Sequence, residues 1–166
     1  MSTVTVTQVV EAPLDDVWRA FTDLSVRVRC LSDVDRVEIL TAGPFVAGTT
    51  WRETRAMVDG TRVTEEFRVR ECRPRECFVV TSPGIGADYR TTYRFQSIDS
   101  GRHAGGTTVT VEQEGTPSGP AGRVLEVMFG GLAARTAEGA LRQELADLAA
   151  ASVRNPPGPA AAGAAA

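Results

Sequence analysis

The chain has 166 residues with 42% hydrophobic and 23% charged side chains, the balance of one soluble globular domain with or without a tail. Its 18 basic and 21 acidic residues leave a formal charge of −3, so there is no cationic excess to neutralise phosphates and nucleic acid is not an expected partner. Every basic side chain is Arg and none is Lys, which excludes lysine Schiff bases and the phosphate-gripping lysine of a P-loop. His103, the only histidine, lies in the Gly-rich stretch Ser100–Gly106 and reads as an exposed turn. Cys30, Cys72 and Cys77 form no C-x-x-C pair, which argues against a structural zinc site or a disulfide framework; Cys72 and Cys77 flank a hairpin loop and are expected as reduced thiols. The N-terminus lacks a basic-then-apolar leader pattern, and no run reaches the roughly 18 apolar residues of a membrane span. A cytoplasmic location and no membrane insertion are the expectations.

In chain order, Thr3–Ala12 is rich in β-branched residues and partly alternates, as a strand does. Pro13 then opens a helix. Leu14, Val17, Trp18 and Phe21 share one of its faces, and Asp15 and Asp16 stand in the first turn, where the helix dipole favours acids. Leu24–Ser32 reads as a second short helix. From Val34 to Gln113 the pattern becomes about six strands, punctuated by Gly43-Pro44, Asp59-Gly60, Arg73-Pro74, Pro83-Gly84 and Gly105-Gly106. Ala121–Val153 is rich in helix formers and contains no Pro, predicting a helix of about 30 residues and roughly 45 Å. Residues 154–166, with Pro156, Pro157 and Pro159 and an Ala/Gly run, are expected to be a disordered tail beyond a folded domain of residues 1–153. An antiparallel sheet with one apolar face needs a cover, and the long helix supplies it. The expected class is α+β: a helix-grip arrangement, with a curved antiparallel sheet of about seven strands wrapped on the C-terminal helix and two short helices after strand 1.

The stretch from Val9 to Asp23, with Glu11-Ala12-Pro13 leading into Val17-Trp18-Arg19-Ala20-Phe21, resembles the opening of the START-like (SRPBCC) superfamily, in particular its polyketide cyclase/dehydrase branch. Val46-Ala47-Gly48-Thr49-Thr50-Trp51-Arg52 is similar to that family's Gly-Thr hairpin, and Gly106-Thr107-Thr108-Val109-Thr110-Val111 to its late Gly-Thr strand. The resemblance spans roughly residues 3–153 and speaks for fold more than for activity, since members include aromatase/cyclases, lipid and hormone carriers, and co-chaperone domains.

Strand alternation sorts the side chains into two faces. One phase runs Thr50, Arg52, Thr54; Thr64, Glu66, Arg68, Arg70; Arg90, Thr92, Arg94; and Thr108, Thr110, Glu112, all polar and therefore facing water. The other runs Trp51, Glu53, Arg55; Val63, Glu65, Phe67, Val69; Tyr89, Thr91, Tyr93, Phe95; and Val109, Val111, Gln113, the inner face. Glu53, Arg55 and Glu65 are charged where a sealed core needs apolar groups, so each requires a partner, water or a ligand. One reading is a structural ion pair of Arg55 with Glu53 or Glu65 at the open end of the sheet. The other is a polar patch in a cavity, with Glu65 or Glu53 as general acid/base and Arg55 holding an enolate or carboxylate oxygen.

Tyr93 joins these as a catalytic candidate whose hydroxyl binds or protonates a carbonyl, against the simpler reading of a core ring with a hydrogen-bonded tip. Trp51, Phe67, Tyr89, Thr91, Phe95 and Gln113 are the candidate ligand-binding residues of the sheet. On the long helix Phe129, Ala133 and Thr136, with Ala137 and Ala140, cluster on one side, where small residues leave a cavity or permit close packing. Leu141, Leu145 and Leu148 point about 150° away from the block formed by Leu125, Met128, Phe129 and Leu132, so the helix either bends at Gly130-Gly131 or packs its end elsewhere.

The expected function is binding of an apolar or aromatic small molecule between sheet and C-terminal helix, with cyclase, aromatase or dehydratase activity among the resemblance's implications. The alternatives are a non-catalytic carrier or sensor and a co-chaperone-like interaction module. A small hydrophobic ligand is the expected partner and a homodimer stays open. Neither a cofactor nor a metal is expected, and hydrolase triads, zinc enzymes and Rossmann redox enzymes lack their residues here.

Overall fold

The computed structural model describes residues 2–56, 60–84 and 87–154, without the side chains of residues 26 and 119–136. Strand β1 (Ser2–Val10) is followed by helix α1 (Leu14–Thr22), a 3₁₀ turn (Leu24–Val26) and helix α2 (Arg27–Cys30). Then come β2 (Val34–Ile39), β3 (Thr50–Ala56), β4 (Arg62–Arg73), β5 (Cys77–Pro83), β6 (Ala87–Ser97), β7 (Thr107–Pro117) and helix α3 (Gly119–Arg154). The strands form one antiparallel sheet in the order β1-β7-β6-β5-β4-β3-β2. Strands β2 to β7 thus follow one another as neighbours, while β1 closes the far edge on β7 and the helical segment after it carries the chain across to β2. The α+β helix-grip arrangement is the one observed, with seven strands.

Pro13 caps α1 with an extended backbone and Asp15 and Asp16 occupy its first turn, as the local sequence predicts. Val17 and Phe21 are buried, and Leu14 and Trp18 pack against the same core. The predicted second helix is shorter than Leu24–Ser32: Asp23 accepts a hydrogen bond from the Ser25 amide at 3.0 Å, which winds a 3₁₀ turn first and leaves only four residues for α2.

The two phases separate as expected. On the outer face Thr54 bonds Thr64, Thr7 bonds Thr110, and Arg52 pairs with Glu66. On the inner face Trp51, Val69, Val109 and Val111 are buried, with Phe78, Tyr93 and Phe95 packed edge or face against one another and against Phe21. A register shift between Val69 and Glu71 ends the simple alternation of β4, so that Cys72 lies opposite Phe78 and packs at the core while Cys77 lies opposite Arg73. The two cysteines are therefore one register step apart rather than directly opposed. All three cysteines are free.

Helix α3 runs beyond both predicted limits, from Gly119 to Arg154. The helix packs on β1 and α1, and in its second half Leu141, Leu145, Leu148 and Ala149 are buried. The side chains of the apolar block from Leu125 to Leu132 and the tail from Asn155 onward lie outside what is described, while the backbone is assigned as one helix through Gly130-Gly131. His103 stands in a turn, where its ring pairs with the Glu11 carboxylate. Among the described residues no helix is long and apolar enough to cross a membrane, and no cluster of three His, Cys, Asp or Glu side chains is arranged for a metal ion.

Candidate ligand-binding cavity

Between the inner faces of β3–β7 and helix α3 lies a cavity of about 620 Å³, within the range that holds a drug-sized ligand. Its apolar wall comes from Phe21, Phe45, Trp51, Phe67, Phe78, Val80 and Leu141. Phe45 arrives from the loop between β2 and β3, where Gly48 takes φ +95° and donates its amide to the Val69 carbonyl at 2.9 Å, folding the loop back over the sheet. The Phe45 ring thereby reaches Phe78 at 5.0 Å and Trp51 at 6.1 Å. Ala137 and Ala140 provide small side chains on the helix side, in the same cavity. Those two positions follow the predicted small-residue face, whereas the Phe129, Ala133 and Thr136 side chains lie outside the described residues.

A second wall is polar but uncharged: Ser82, Tyr89, Thr91, Tyr93 and Gln113. Gln113 donates to the Thr91 hydroxyl at 3.3 Å, tying β7 to β6 across the sheet. The Tyr89 ring fits between two glycines, because a Cβ placed on Gly84 would stand 2.4 Å from one ring edge and one on Gly115 would stand 3.3 Å from the other. The absence of side chains at those positions sets where the ring lies.

One end of the cavity is charged. Glu53 is completely buried: Oε1 accepts from Arg27 Nε at 2.5 Å and from the Trp51 indole at 2.8 Å, and Oε2 accepts from Arg55 Nη2 at 2.7 Å. Arg55 also donates to Asp33 at 2.8 Å and to Glu144 of α3 at 3.4 Å. Glu144 in turn accepts from Arg27 at 3.1 Å and from the Tyr93 hydroxyl at 3.1 Å. The network therefore joins α2, β3, β6 and α3 around the same end.

Burial alone would push the Glu53 carboxyl upward, but the Arg27 and Arg55 guanidinium groups and the Trp51 hydrogen bond outweigh it and hold the pKa below the usual carboxylate range. Arg27 and Arg55 feel the same opposition: burial works against their charge, yet the surrounding carboxylates prevail and raise both further. Burial, followed by the Glu144 carboxylate, pushes the Tyr93 hydroxyl well above the ordinary tyrosine value, so it stays a hydrogen-bond donor.

Glu65 differs from these. It lines the cavity directly opposite Glu53 in the β3–β4 register, and among the described residues it makes no hydrogen bond or ion pair. Burial raises its pKa first, Arg55 partly offsets this, and the Glu53 and Glu144 carboxylates raise it further.

Of the sequence-predicted positions, the cavity brings together Glu65, Arg55, Tyr93, Trp51, Phe67, Tyr89, Thr91 and Gln113. Two others are not at its wall. Glu53 lies behind it, and Phe95 packs against Trp18, Phe21 and Phe78. Trp51 offers a ligand little ring surface, because Phe67 stacks at 5.3 Å and the Arg27 guanidinium lies 5.9 Å from its centroid. The sequence expectations include neither the three further charged residues of the site, Arg27, Asp33 and Glu144, nor the wall residues Phe21, Phe45, Phe78, Val80, Ser82 and Leu141. Glu144 had a readable signal, since it stands three residues after Leu141 and four before Leu148, on the buried face of α3. Arg27 and Asp33 had none.

A family model described as polyketide cyclase / dehydrase and lipid transport matches residues 1–153. No curated protein matches. Among solved structures, TTHA0849 from Thermus thermophilus is 19% identical with a TM-score of 0.73, the match covering 94% of this chain and 100% of that one. The di-domain ARO/CYC BexL from the BE-7585A biosynthetic pathway is 19% identical with a TM-score of 0.67, over 91% of this chain and 48% of that one, so this chain corresponds to about half of it. Ara h 8.0201 is 13% identical with a TM-score of 0.64, over 93% of this chain and 99% of that one. At such identities these likenesses are likenesses of fold.

Proposed function

The chain belongs to the polyketide cyclase / dehydrase and lipid-transport family, and on that premise we propose that it binds an apolar, aromatic small molecule in the cavity between sheet and α3 and acts on it without a cofactor. The observation that carries this reading is Glu65, a carboxyl without a protein partner among the described residues, on the wall of a cavity of about 620 Å³ whose apolar side is built largely from aromatic rings. Glu53 is completely buried and paired with Arg27 and Arg55, whereas Glu65 is only partly buried, carries no such pairing and stays open to the cavity.

The proposed chemistry is proton transfer. As a carboxylate, Glu65 takes a proton from carbon beside a ligand carbonyl; as a carboxyl, it returns that proton to a departing hydroxyl, so a cyclisation or dehydration closes with water as the only by-product. Its raised pKa suits both halves of the cycle, because a base nearer neutral pH is also a competent acid there. Tyr93 and Arg55 are positioning residues in this scheme: both are bonded to Glu144, which fixes them at the charged end. Glu53 is assigned no proton transfer, since it is sealed behind the wall with its pKa lowered.

The test is a panel of aromatic compounds and short poly-β-ketones, followed by thermal shift and product analysis. Stabilisation by panel members, with turnover reduced about 10²- to 10⁴-fold in Glu65→Gln while binding persists, is the expected outcome. Binding without turnover in the natural sequence selects a carrier on the same cavity, a reading favoured by the saturation of Arg55 and Tyr93 with protein partners. A panel without any stabilising member rejects both.

A further inference from the structure

We infer that the cavity discriminates by charge: it accepts a ligand whose inner end is a neutral oxygen group, a ketone or phenol, and rejects the carboxylate of the same shape. The inference rests on the ligand-binding reading above and specifies the ligand class that this site takes.

The two guanidinium groups at the charged end make it look like an anion receptor, and the sequence alone suggests Arg55 in that role. The geometry removes it. Arg27 and Arg55 face three carboxylates, Asp33, Glu53 and Glu144, all within 3.4 Å of one guanidinium or the other. One negative charge is therefore in excess before Glu65 is counted, and an ionised Glu65 adds a second. No other charged side chain among the described residues lines the cavity.

An entering carboxylate would have to displace one of these carboxylates from its arginine, and Glu53 and Glu144 are held on the protein by two or more donors each. Failing that, it would sit unpaired beside like charges, where partial desolvation strengthens the repulsion. A ketone or phenol faces no such penalty. It accepts from Glu65 when that group is protonated, and the neutral hydroxyl and amide groups of Ser82, Tyr89, Thr91 and Gln113 line the adjoining wall.

The experiment uses two nearly isosteric probes, 2-acetylnaphthalene and 2-naphthoate, titrated into the full chain at neutral pH with binding read by calorimetry. The ketone is expected to bind and the carboxylate to bind about tenfold more weakly or worse. In Glu65→Gln and, separately, Asp33→Asn, each of which removes one negative charge, the ratio contracts toward unity. Asp33 is partly exposed at the rim, so its variant provides the same readout if Glu65→Gln does not fold. Equal affinity for the two probes, or a ratio unmoved by both substitutions, overturns the charge rule while leaving a ligand cavity in place. If neither probe binds at millimolar concentration, and the wider aromatic panel also fails, the cavity reading falls and this inference with it.

Discussion

Arg27 of α2 and Glu53 of β3 are joined by a 2.5 Å hydrogen bond between side chains that are both buried, and this pair anchors the helical segment to the sheet behind the cavity. The pair is not isolated: Trp51 donates to the same Glu53 oxygen and Arg55 to the other. Both carboxylate oxygens thus have a donor aimed at them, the condition under which a buried charge is tolerated. Arg27→Met retains most of the volume but leaves Glu53 with one cation instead of two. It is expected to lower stability by about 3 kcal/mol, measured by urea unfolding. Glu53→Gln in the same background should cost less than it does alone, because the two changes remove one shared interaction.

Glu53 and Glu65, directly opposite each other on β3 and β4, respond to acid with opposite sign. Glu53 has its pKa lowered by folding, so its contribution is present above the unfolded carboxylate value and disappears as pH falls through the lower folded one. Glu65 has its pKa raised, so it favours the fold most when protonated, and that advantage is lost as pH rises through its folded value. Glu65→Gln should therefore raise Tm at pH 7 to 8 and have no such effect below about pH 4, where the carboxyl is protonated in both states. A Tm-against-pH series on the two proteins measures this directly, and a constant offset at all pH values would contradict it.

Alternation was enough to place Glu53, Arg55 and Glu65 on the inner face, because a strand has only two phases and the outer one was entirely polar. Partner choice was not legible in the same way. Arg55 finds Glu144 across 89 residues of chain, and Arg27 finds it across 117, distances over which no local pattern operates. The register shift after Val69, which turns Cys72 to the core, also leaves no mark in the period of the strand. Sequence reasoning did recognise two alternatives for Arg55, ion pair or ligand site. The geometry shows the pairing with Glu53 and leaves Glu65, which looks equivalent in the alternation, as the carboxyl on the cavity wall without a hydrogen bond or ion pair among the described residues.

Ala137 tests whether the cavity is the ligand site without touching a charge. It lies on α3 among the cavity-lining residues and is only partly buried. Ala137→Phe directs a ring into empty space rather than into packed side chains, so stability should change by less than about 1 kcal/mol, while affinity for aromatic ligands falls by tenfold or more for loss of volume (about 1.4 kcal/mol). Chemical unfolding and ligand titration on the same sample separate the two effects. Unchanged affinity would place the ligand elsewhere.

Tyr89 provides a test of wall shape. Its ring is held between Gly84 and Gly115, and a Cβ on Gly84 would approach to 2.4 Å of the ring and 3.0 Å of the Ala87 carbonyl oxygen. The backbone contact is hard to relieve, since Gly84 donates its amide to that same carbonyl at 2.8 Å. Gly84→Ala must therefore displace the ring, and the direction left open to it is toward the cavity. The expected result is a cost of about 1–3 kcal/mol from overpacking, with weaker ligand binding. The double variant Gly84→Ala/Tyr89→Ala removes the obstructing ring and should recover most of the stability lost by Gly84→Ala alone, measured against Tyr89→Ala as its own reference. If the double variant is no more tolerant of the added methyl than the single one, the strain lies in the turn at Gly84 and not in the seat of the ring.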